Sequence, residues 1–477
     1  MSTDHPNHPN QPNHPNQPNQ PNRDESTSNR PERPVTVLSS MVDTERGLVS
    51  PEIFADEELY RLEQTRLFLR SWLFLAHESQ LPRSGDFLTT FMGEDPVLVA
   101  RQPDGSLRAM LNACRHRGMT VCRADLGNAK SFTCTYHGWS YDGSGRLINV
   151  PEHDTGYNGE LDLEQWGLVA VTRVETYKGL VFATFSPEAP PLVDYLGDMA
   201  WYLDCLLDRR AGGTEALGGM YKIRLRGNWK LAAEQFVGDN YHAGLTHASA
   251  FRAWSGPRDV TRAPQPGPAP AGRQFSSRLG HGTAGFYLEE AGAAAVRRGR
   301  GPDADLLARY HEQILPEVRN RLGVERAGGA ASTAATIFPN CSYLANIFGS
   351  SSLGVWHPKG TDRFESWRIG LVDAAAPDEV KAATARMLHV WPVGLADADD
   401  GENWGGIAVN LRGPMVRRQA FNFQMGLGHE RDDDPVYPGR IGPRWVGELP
   451  QRGFYQRWLE FMTSEGWPHL WLESPRQ

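Results

Sequence analysis

The chain has 477 residues, a net charge of −8, 40% hydrophobic residues and 10% aromatic residues. This length exceeds one ordinary domain and the composition supports a large core, so we expect two folded units. The acidic balance argues against nucleic-acid binding. Because the sequence has neither an apolar run of eighteen residues nor a secretory leader, we expect a cytoplasmic protein that does not enter membranes.

The first 188 residues divide into a tail, a helical segment and a β-domain. Residues 1–33 repeat His-Pro-Asn and Gln-Pro-Asn triplets that lack apolar side chains, which predicts a disordered tail. Residues 51–72 have apolar side chains at helical spacing and predict an amphipathic helix within an N-terminal segment, 34–70, that packs on the second domain. Short alternating runs with glycine-containing turns then predict an all-β domain at 71–188.

Two Cys-His pairs lie within the predicted β-domain. Cys114 and His116 form the first pair, Cys134 and His137 form the second, and a glycine follows each pair. Two thiolates and two imidazoles bind either one zinc ion or a two-iron, two-sulfur cluster in which both histidines coordinate one iron. We favour the cluster because each pair supplies one Cys and one His, whereas the histidines of a zinc finger come together at its far end.

On this motif, Cys-x-His-x17-Cys-x2-His, the chain resembles the large catalytic subunit of Rieske non-haem iron aromatic-ring-hydroxylating dioxygenases of the naphthalene and biphenyl type. The resemblance covers residues 49–471. It implies that Cys114 and Cys134 hold the all-sulfur iron of a [2Fe–2S] cluster, while His116 and His137 hold the outer iron.

Beyond a proline-rich boundary near residue 188, the pattern predicts an α+β domain at 189–477, with an antiparallel sheet flanked by helices. This domain is similar to the catalytic domain of the same family. Within it, residues 256–301 are rich in proline, glycine and alanine. We expect them to cover the substrate entrance, a surface insertion being the alternative.

A second metal site is predicted around His242 and His247. Five residues rotate by about 140° on a helix, so both imidazoles face one ion only where the helix loosens or ends, which Gly244 permits. Asp239 precedes His242 by one turn, and an acidic segment, 397–402, lies far downstream. Two histidines and one carboxylate on one face of iron(II) leave positions open for O2, whereas ordinary core histidines and a solvated acidic turn are the alternative.

The resemblance assigns roles at this second site. Matching the segment Asp-Asp-Gly-Glu-Asn-Trp to the family motif places the mononuclear iron(II) ligand on Asp400, with Asp399 as second choice. We expect Asp397 and Glu402 to be solvated. Gln235 departs from the naphthalene-type pattern, which has an asparagine there.

Asp239 falls on the bridging aspartate of the family. The resemblance implies a catalytic role for it, linking a cluster histidine of one subunit to an iron histidine of the next. The expected partners are His137 and His242, because a metal-bound imidazole needs an acceptor for its second N–H.

The substrate pocket is predicted from the apolar residues nearest to the ligands in sequence, although each of them suits an ordinary core equally well. Together they favour a hydrophobic site for a neutral mono- or polycyclic arene. An aromatic acid of the phthalate, salicylate or benzoate type is the alternative and would need an inward-facing arginine. The candidates are Phe236, Ala243, Leu245, Leu344, Val390, Leu395, Ala396 and Trp404.

The resemblance thus implies a terminal oxygenase subunit that uses O2 and electrons from NADH to cis-dihydroxylate an aromatic ring. No G-x-G-x-x-G follows a predicted strand, so we expect a separate NADH-dependent reductase, a ferredoxin, or both. The family suggests three large subunits, often with three small β subunits in an α3β3 hexamer. A Rieske electron carrier or a zinc-dependent protein would be alternatives of other classes, but the carrier leaves the second ligand set unexplained.

Overall fold

A computed structural model describes residues 35–255, 272–287, 303–329, 333–347 and 349–469. The predicted tail lies outside these residues, as does most of the segment 256–301. No helix within the described ranges is long and apolar enough to cross a bilayer.

The N-terminal segment consists of short helices, so the prediction of one continuous helix over 51–72 is wrong. Asp56 is extended, and its carboxylate accepts hydrogen bonds from the backbone N–H groups of Glu58 and Leu59, which starts a new helix. The segment packs on the second domain, where the ring of Phe68 lies 5.1 Å from that of Trp229. Its helical pieces are Val35–Ser39, Glu52–Ala55, Glu57–Glu63 and the π-helix Gln64–Phe68.

The next region is built from short antiparallel strands, as the turn pattern predicts. Buried alternate residues, such as Leu98, Phe132 and Tyr141, form a small core beneath the two Cys-His loops. One four-stranded and two three-stranded sheets are formed. Their strands are, in sheet order, Leu107–Leu111, Asp95–Arg101, Asp86–Met92 and Leu126–Asn128; Leu147–Asn149, Ser140–Asp142 and Ser131–Thr133; and Arg173–Tyr177, Leu180–Thr184 and Leu73–His77. A short helix, His153–Gly156, and the 3-10 turns Glu78–Gln80 and Leu163–Trp166 connect them.

An eight-stranded antiparallel sheet dominates the second region, as predicted from the sequence. The hairpin Gly272–Ser276 and Gly282–Tyr287 belongs to this sheet, so this part of the predicted cover is a sheet element instead. In sheet order the strands are Thr214–Arg226, Arg363–Asp373, Ser350–Pro358, Cys341–Ile347, Thr333–Ile337, Gly282–Tyr287, Gly272–Ser276 and Arg440–Gly442. A separate small sheet joins Val42–Asp43, Leu48–Val49 and Phe421–Asn422.

Helices flank this sheet, which completes the predicted α+β architecture. The first two of these helices are separated at Gly197, where φ is +48°. The helices are Leu192–Leu196, Met199–Leu207, Trp229–Gly238, Ala243–Thr246, Ala248–Ser255, Ala304–Gly329, Asp378–Leu388, the π-helix His389–Ala396, Asp397–Asn410, the 3-10 turn Val416–Arg418 and Leu449–Thr463.

Helix Trp229–Gly238 lies between the sheet and the last helix. Its first turn is capped by Asn228, whose side chain accepts a hydrogen bond from the N–H of Lys230. At its other end, a Cβ on Gly238 would lie 2.6 Å from Cγ of Pro450, so glycine permits the close approach of the last helix. The chain leaves the helix at Asp239, whose backbone is extended.

Candidate metal centres

The two Cys-His loops have the same backbone construction. The N–H of Gly118 donates to the carbonyl of Cys114 at 2.8 Å, and the N–H of Gly138 donates to that of Cys134 at 3.0 Å. Both glycines have positive φ, at +74° and +75°. Glycine adopts this conformation at little cost, so the sequence itself shapes two matching loops that face one another.

The four candidate cluster ligands lie together at one end of the β-domain. Cys114 and Cys134 are buried, whereas the imidazoles of His116 and His137 lie further out, with ring centroids 4.4 Å apart. Trp139 stacks on His116 at 5.0 Å, and Nδ1 of His116 is buried without a hydrogen-bond partner. Two inner sulfurs and two outer nitrogens are the donor set of a Rieske cluster.

The spread of these donors argues against one zinc ion. Ligands of a tetrahedral zinc lie about 3.3–3.8 Å from one another, given the usual Zn–N and Zn–S distances. Within the described part of the chain, one group of three side chains has all its donor atoms within 4.8 Å of one another. That group is not formed by the four Cys-His residues. The residues present therefore fit a two-iron cluster better than a single ion.

Tyr141 is a cluster-loop residue that the sequence reasoning missed. Its hydroxyl lies 3.3 Å from Sγ of Cys114 and accepts a hydrogen bond from the N–H of Arg115. Burial raises the pKa of Tyr141, so the hydroxyl keeps its proton and can donate to the sulfur. Hydrogen bonds to cluster sulfurs help to set the reduction potential. Its inward position in the alternating strand Ser140–Asp142 was the available signal.

The second centre forms where the predicted helix ends. The chain turns after Gly238, and the short helix Ala243–Thr246 places His242 before it and His247 after it. The two imidazole centroids are 5.2 Å apart. The helical turn between them ends at His247, whose backbone is no longer helical (φ −92°, ψ 17°), so the two histidines do not lie on a continuous regular helix, which would point residues five apart in different directions.

Asp400 lies far downstream of both histidines in the sequence but close to both imidazoles in the fold. Its Oδ1 lies 3.5 Å from Nε2 of His242 and 3.5 Å from Nε2 of His247. Asp400 is 3% exposed, and this Oδ1 has no hydrogen-bond donor. An unsatisfied buried carboxylate oxygen aimed at two imidazole nitrogens is a donor set that suits a divalent iron.

The acidic segment lies in the first turns of helix Asp397–Asn410 rather than in a turn. Glu402 is exposed, as expected. The expectation that Asp397 is solvated is wrong, because it is buried and lies 2.9 Å from Nη2 of the buried Arg368. Asp399 does not approach the shared position of the three donors; its Oδ2 lies 3.3 Å from the other ring nitrogen of His247, Nδ1.

Burial and neighbouring charged side chains shift the pKa values of the residues at this centre. Burial raises the pKa of Asp400 to about 7, and the proximity of His242 offsets part of that shift. Burial lowers the pKa of His247, which keeps its imidazole neutral. Burial also opposes protonation of His242, but Asp239 outweighs it and raises the pKa of His242. Asp239 contacts that residue twice, accepting its backbone N–H at 3.1 Å and lying 3.1 Å from its Nδ1.

Gln235 lies beside this centre. Its Nε2 is 3.4 Å from Nε2 of His242, and its Oε1 accepts a hydrogen bond from the indole N–H of Trp404 at 2.9 Å. The indole therefore fixes which end of the carboxamide faces the histidine. Trp404 is buried, and its indole N–H supports Gln235.

The predicted pocket residues are scattered. Phe236 is buried against Trp356, with ring centroids 4.9 Å apart, and Leu344 is partly buried against the same core. Leu245 is 83% exposed and Val390 is 44% exposed, so the described residues do not enclose either side chain. Ala243 and Ala396 are half-buried, and the side chain of Leu395 lies outside the described residues.

Comparison with known proteins assigns the two regions. Residues 71–178 match the model of the Rieske [2Fe-2S] domain, and residues 213–464 match that of the ring hydroxylating alpha subunit catalytic domain. The chain belongs to the alpha subunits of the Rieske ring-hydroxylating dioxygenases. It is therefore an oxidoreductase that incorporates O2, and the cofactors of its two domains are the Rieske cluster and a mononuclear iron.

Individual relatives span nearly the whole chain. The biphenyl dioxygenase alpha subunit of Paraburkholderia xenovorans is 42% identical over 455 residues, covering 91% of this chain and 95% of the relative. The benzene 1,2-dioxygenase alpha subunit of Pseudomonas putida is 42% identical over 445 residues with the same coverage. A crystal structure of naphthalene 1,2-dioxygenase with indole bound in its active site has a TM-score of 0.82 at 35% identity, covering 90% of this chain and 94% of that one.

Proposed function

We propose that this oxygenase subunit uses O2 and electrons from NADH to add two hydroxyl groups to one face of a neutral aromatic ring. The observation that carries the proposal is the meeting of His242, His247 and Asp400, whose donor atoms all lie within 4.8 Å of one another. Two histidines and one carboxylate occupy one face of an iron and leave the other face for O2 and substrate. When bound there, the iron supplies the site at which O2 is activated.

The protein's own residues hold and orient the components. His242, His247 and Asp400 would hold the mononuclear iron, while Cys114, Cys134, His116 and His137 would hold the cluster. Gln235 presents its amide N–H groups to the edge of His242, held there by the indole of Trp404. Phe236, the next residue of the same helix, is buried against Trp356.

Asp239 is proposed to connect the two centres between neighbouring copies of the chain. Its Oδ2 lies 3.1 Å from Nδ1 of His242, and the side chain of Asp239 remains 27% exposed. Because this carboxylate is partly exposed, it can also accept a hydrogen bond from the imidazole N–H of His137 in an adjacent subunit. Such a link is part of the proposed α3 or α3β3 ring, with a ferredoxin and an NADH-dependent reductase supplying electrons.

The substrate is proposed to be uncharged. The buried arginine beside Phe236 is Arg368, whose guanidinium carbon lies 5.3 Å from the ring centroid of Phe236. Its charge is already balanced by Asp397. A carboxylate substrate would have to compete with that buried ion pair. The arrangement therefore favours a benzene-, biphenyl- or naphthalene-like arene over an aromatic acid.

The test is product analysis with the reconstituted system. We expect NADH-dependent uptake of O2 with arenes, and cis-diols that contain two atoms from 18O2. Aromatic acids should be poor substrates. Formation of monohydroxylated products only, or turnover of benzoate in preference to biphenyl, would refute the proposal. In the same assay, with Fe(II) in excess so that both metal centres are filled, Asp239→Ala should lose turnover, and full activity would remove the proposed link.

A further inference from the structure

We propose that Asp399 is a positioning residue for His247: it accepts the Nδ1–H of this imidazole and so orients Nε2 toward the iron. The inference rests on the proposed function of His242, His247 and Asp400 as the iron ligands. It gives Asp399 a role different from that of an alternative ligand.

The two nitrogens of His247 face two different carboxylates. Nδ1 lies 3.3 Å from Oδ2 of Asp399, and Nε2 lies 3.5 Å from Oδ1 of Asp400. An imidazole that binds a metal through Nε2 must carry its proton on Nδ1, and the acceptor at Nδ1 fixes that tautomer. Asp399 is therefore placed to select the binding-competent form of the ring.

Helix geometry allows neighbouring residues to divide these tasks. Successive side chains on a helix point about 100° apart, so Asp399 and Asp400 can reach opposite edges of the same ring. Asp399 faces the edge that points away from the shared position of the donors. It can thus orient His247 but cannot replace Asp400 without reversal of the ring.

The two histidines are approached by carboxylates from different parts of the chain. Asp239, three residues earlier on the same segment, accepts the backbone N–H of His242 and lies 3.1 Å from its Nδ1. His247 caps the end of the four-residue helix Ala243–Thr246. Asp399 reaches it from a helix 152 residues further along the chain.

A second bond joins the same two elements. Nδ2 of Asn403 donates to Oγ1 of Thr246 at 3.1 Å, one turn after Asp399 and next to His247. Two side chains of helix Asp397–Asn410 therefore contact the segment that carries His247. This double contact keeps the ring and the Asp400 carboxylate in a fixed relation.

The experiment compares iron retention in Asp399→Ala, Asp399→Asn and the matched control Glu402→Ala. Glu402 is an exposed acid on the same helix. Apo proteins are titrated with Fe(II), and the nitric oxide adduct of the mononuclear site is followed by electron paramagnetic resonance. Loss of an outer-shell partner typically weakens metal binding 10–100-fold, so we expect Asp399→Ala to raise the iron Kd by about that factor.

Asp399→Asn keeps the shape and a neutral acceptor oxygen, so its Kd should fall between those of the wild type and Asp399→Ala, with a spectrum close to the wild type. The Rieske absorbance should be unchanged in all three variants, which shows that they are folded. Iron binding by both Asp399 variants that equals Glu402→Ala would overturn the inference. His247→Ala distinguishes the two claims: if it too retains iron, the proposed metal site itself fails.

Discussion

Replacing Lys230 with methionine should destabilise the chain through a fully buried charge. Nζ of Lys230 lies 2.5 Å from Oε1 of Glu63, and neither side chain is more than 1% exposed. The same carboxylate accepts the indole N–H groups of Trp458 and Trp229, at 2.8 and 3.0 Å. This one acid thereby joins the N-terminal segment, the helix that leads to the iron site and the last helix.

The expected magnitude follows from the carboxylate that remains. At 2.5 Å the attraction is roughly 7 kcal/mol for an effective dielectric constant of about 20, but desolvation offsets much of it. Loss of one partner of a buried pair costs about 3–5 kcal/mol. We expect about 3 kcal/mol, because the two indole donors still satisfy Glu63. That corresponds to a Tm lower by about 3–5 °C, because the entropy of unfolding, roughly 2.1 cal/mol/K per residue, is large for a unit of roughly 300 residues.

Thermal unfolding followed by circular dichroism measures the effect. Lys222→Met is the control, since Lys222 pairs with an exposed aspartate and should cost no more than about 1 kcal/mol. Adding Glu63→Gln to Lys230→Met should recover part of the lost stability by removing the unpaired charge. A Lys230→Met protein as stable as the control, or one that Glu63→Gln weakens further, would refute the reasoning.

Three further predictions concern the metal centres. Gly138→Ala should lose cluster content, measured by visible absorbance per chain, whereas Gly118→Ala should be milder: both have positive φ, but only the first would place a Cβ 2.8 Å from a proline side chain. Tyr141→Phe should lower the reduction potential of the cluster, measured by voltammetry, by roughly 20–60 mV, which is the equivalent of one hydrogen bond. An unchanged potential would show that the hydroxyl does not donate a hydrogen bond to the Cys114 sulfur. Because burial raises the pKa of Asp400 to about 7, and Asp239 outweighs burial to raise that of His242, both groups must lose a proton before iron binds, so iron affinity of the apo protein should fall by at least about tenfold per pH unit below 7; a flat profile between pH 6 and 8 contradicts this.

Local patterns were sufficient for much of the architecture. Turn glycines and alternating runs predicted the β-domain, and the four Cys-His donors fall within two short loops whose backbone is shaped by their own glycines. The end of the helical turn at His247 was also foreseeable, because a regular helix cannot present residues five apart on one face.

Long-range pairing set the limits of the sequence analysis. The sequence around Asp397 is typical of a solvated turn. Only the position of Arg368 in strand Arg363–Asp373 shows that this carboxylate has a buried arginine as its partner. Leu245 is adjacent in sequence to the ligand segment, but its four-residue helix turns it outward. Proximity in sequence was therefore a poor guide to which side chains are buried near the metal centre, because burial depends on elements that are distant in the chain.

The most direct test of the account is a count of iron and acid-labile sulfide in the purified protein and in the double variant His242→Ala/His247→Ala. We expect an iron-to-sulfide ratio of about 3:2 in the wild type and about 2:2 in the variant, with an unchanged Rieske spectrum in both. Zinc in place of iron, or a variant that retains the wild-type ratio, would contradict the assignment of two separate iron centres.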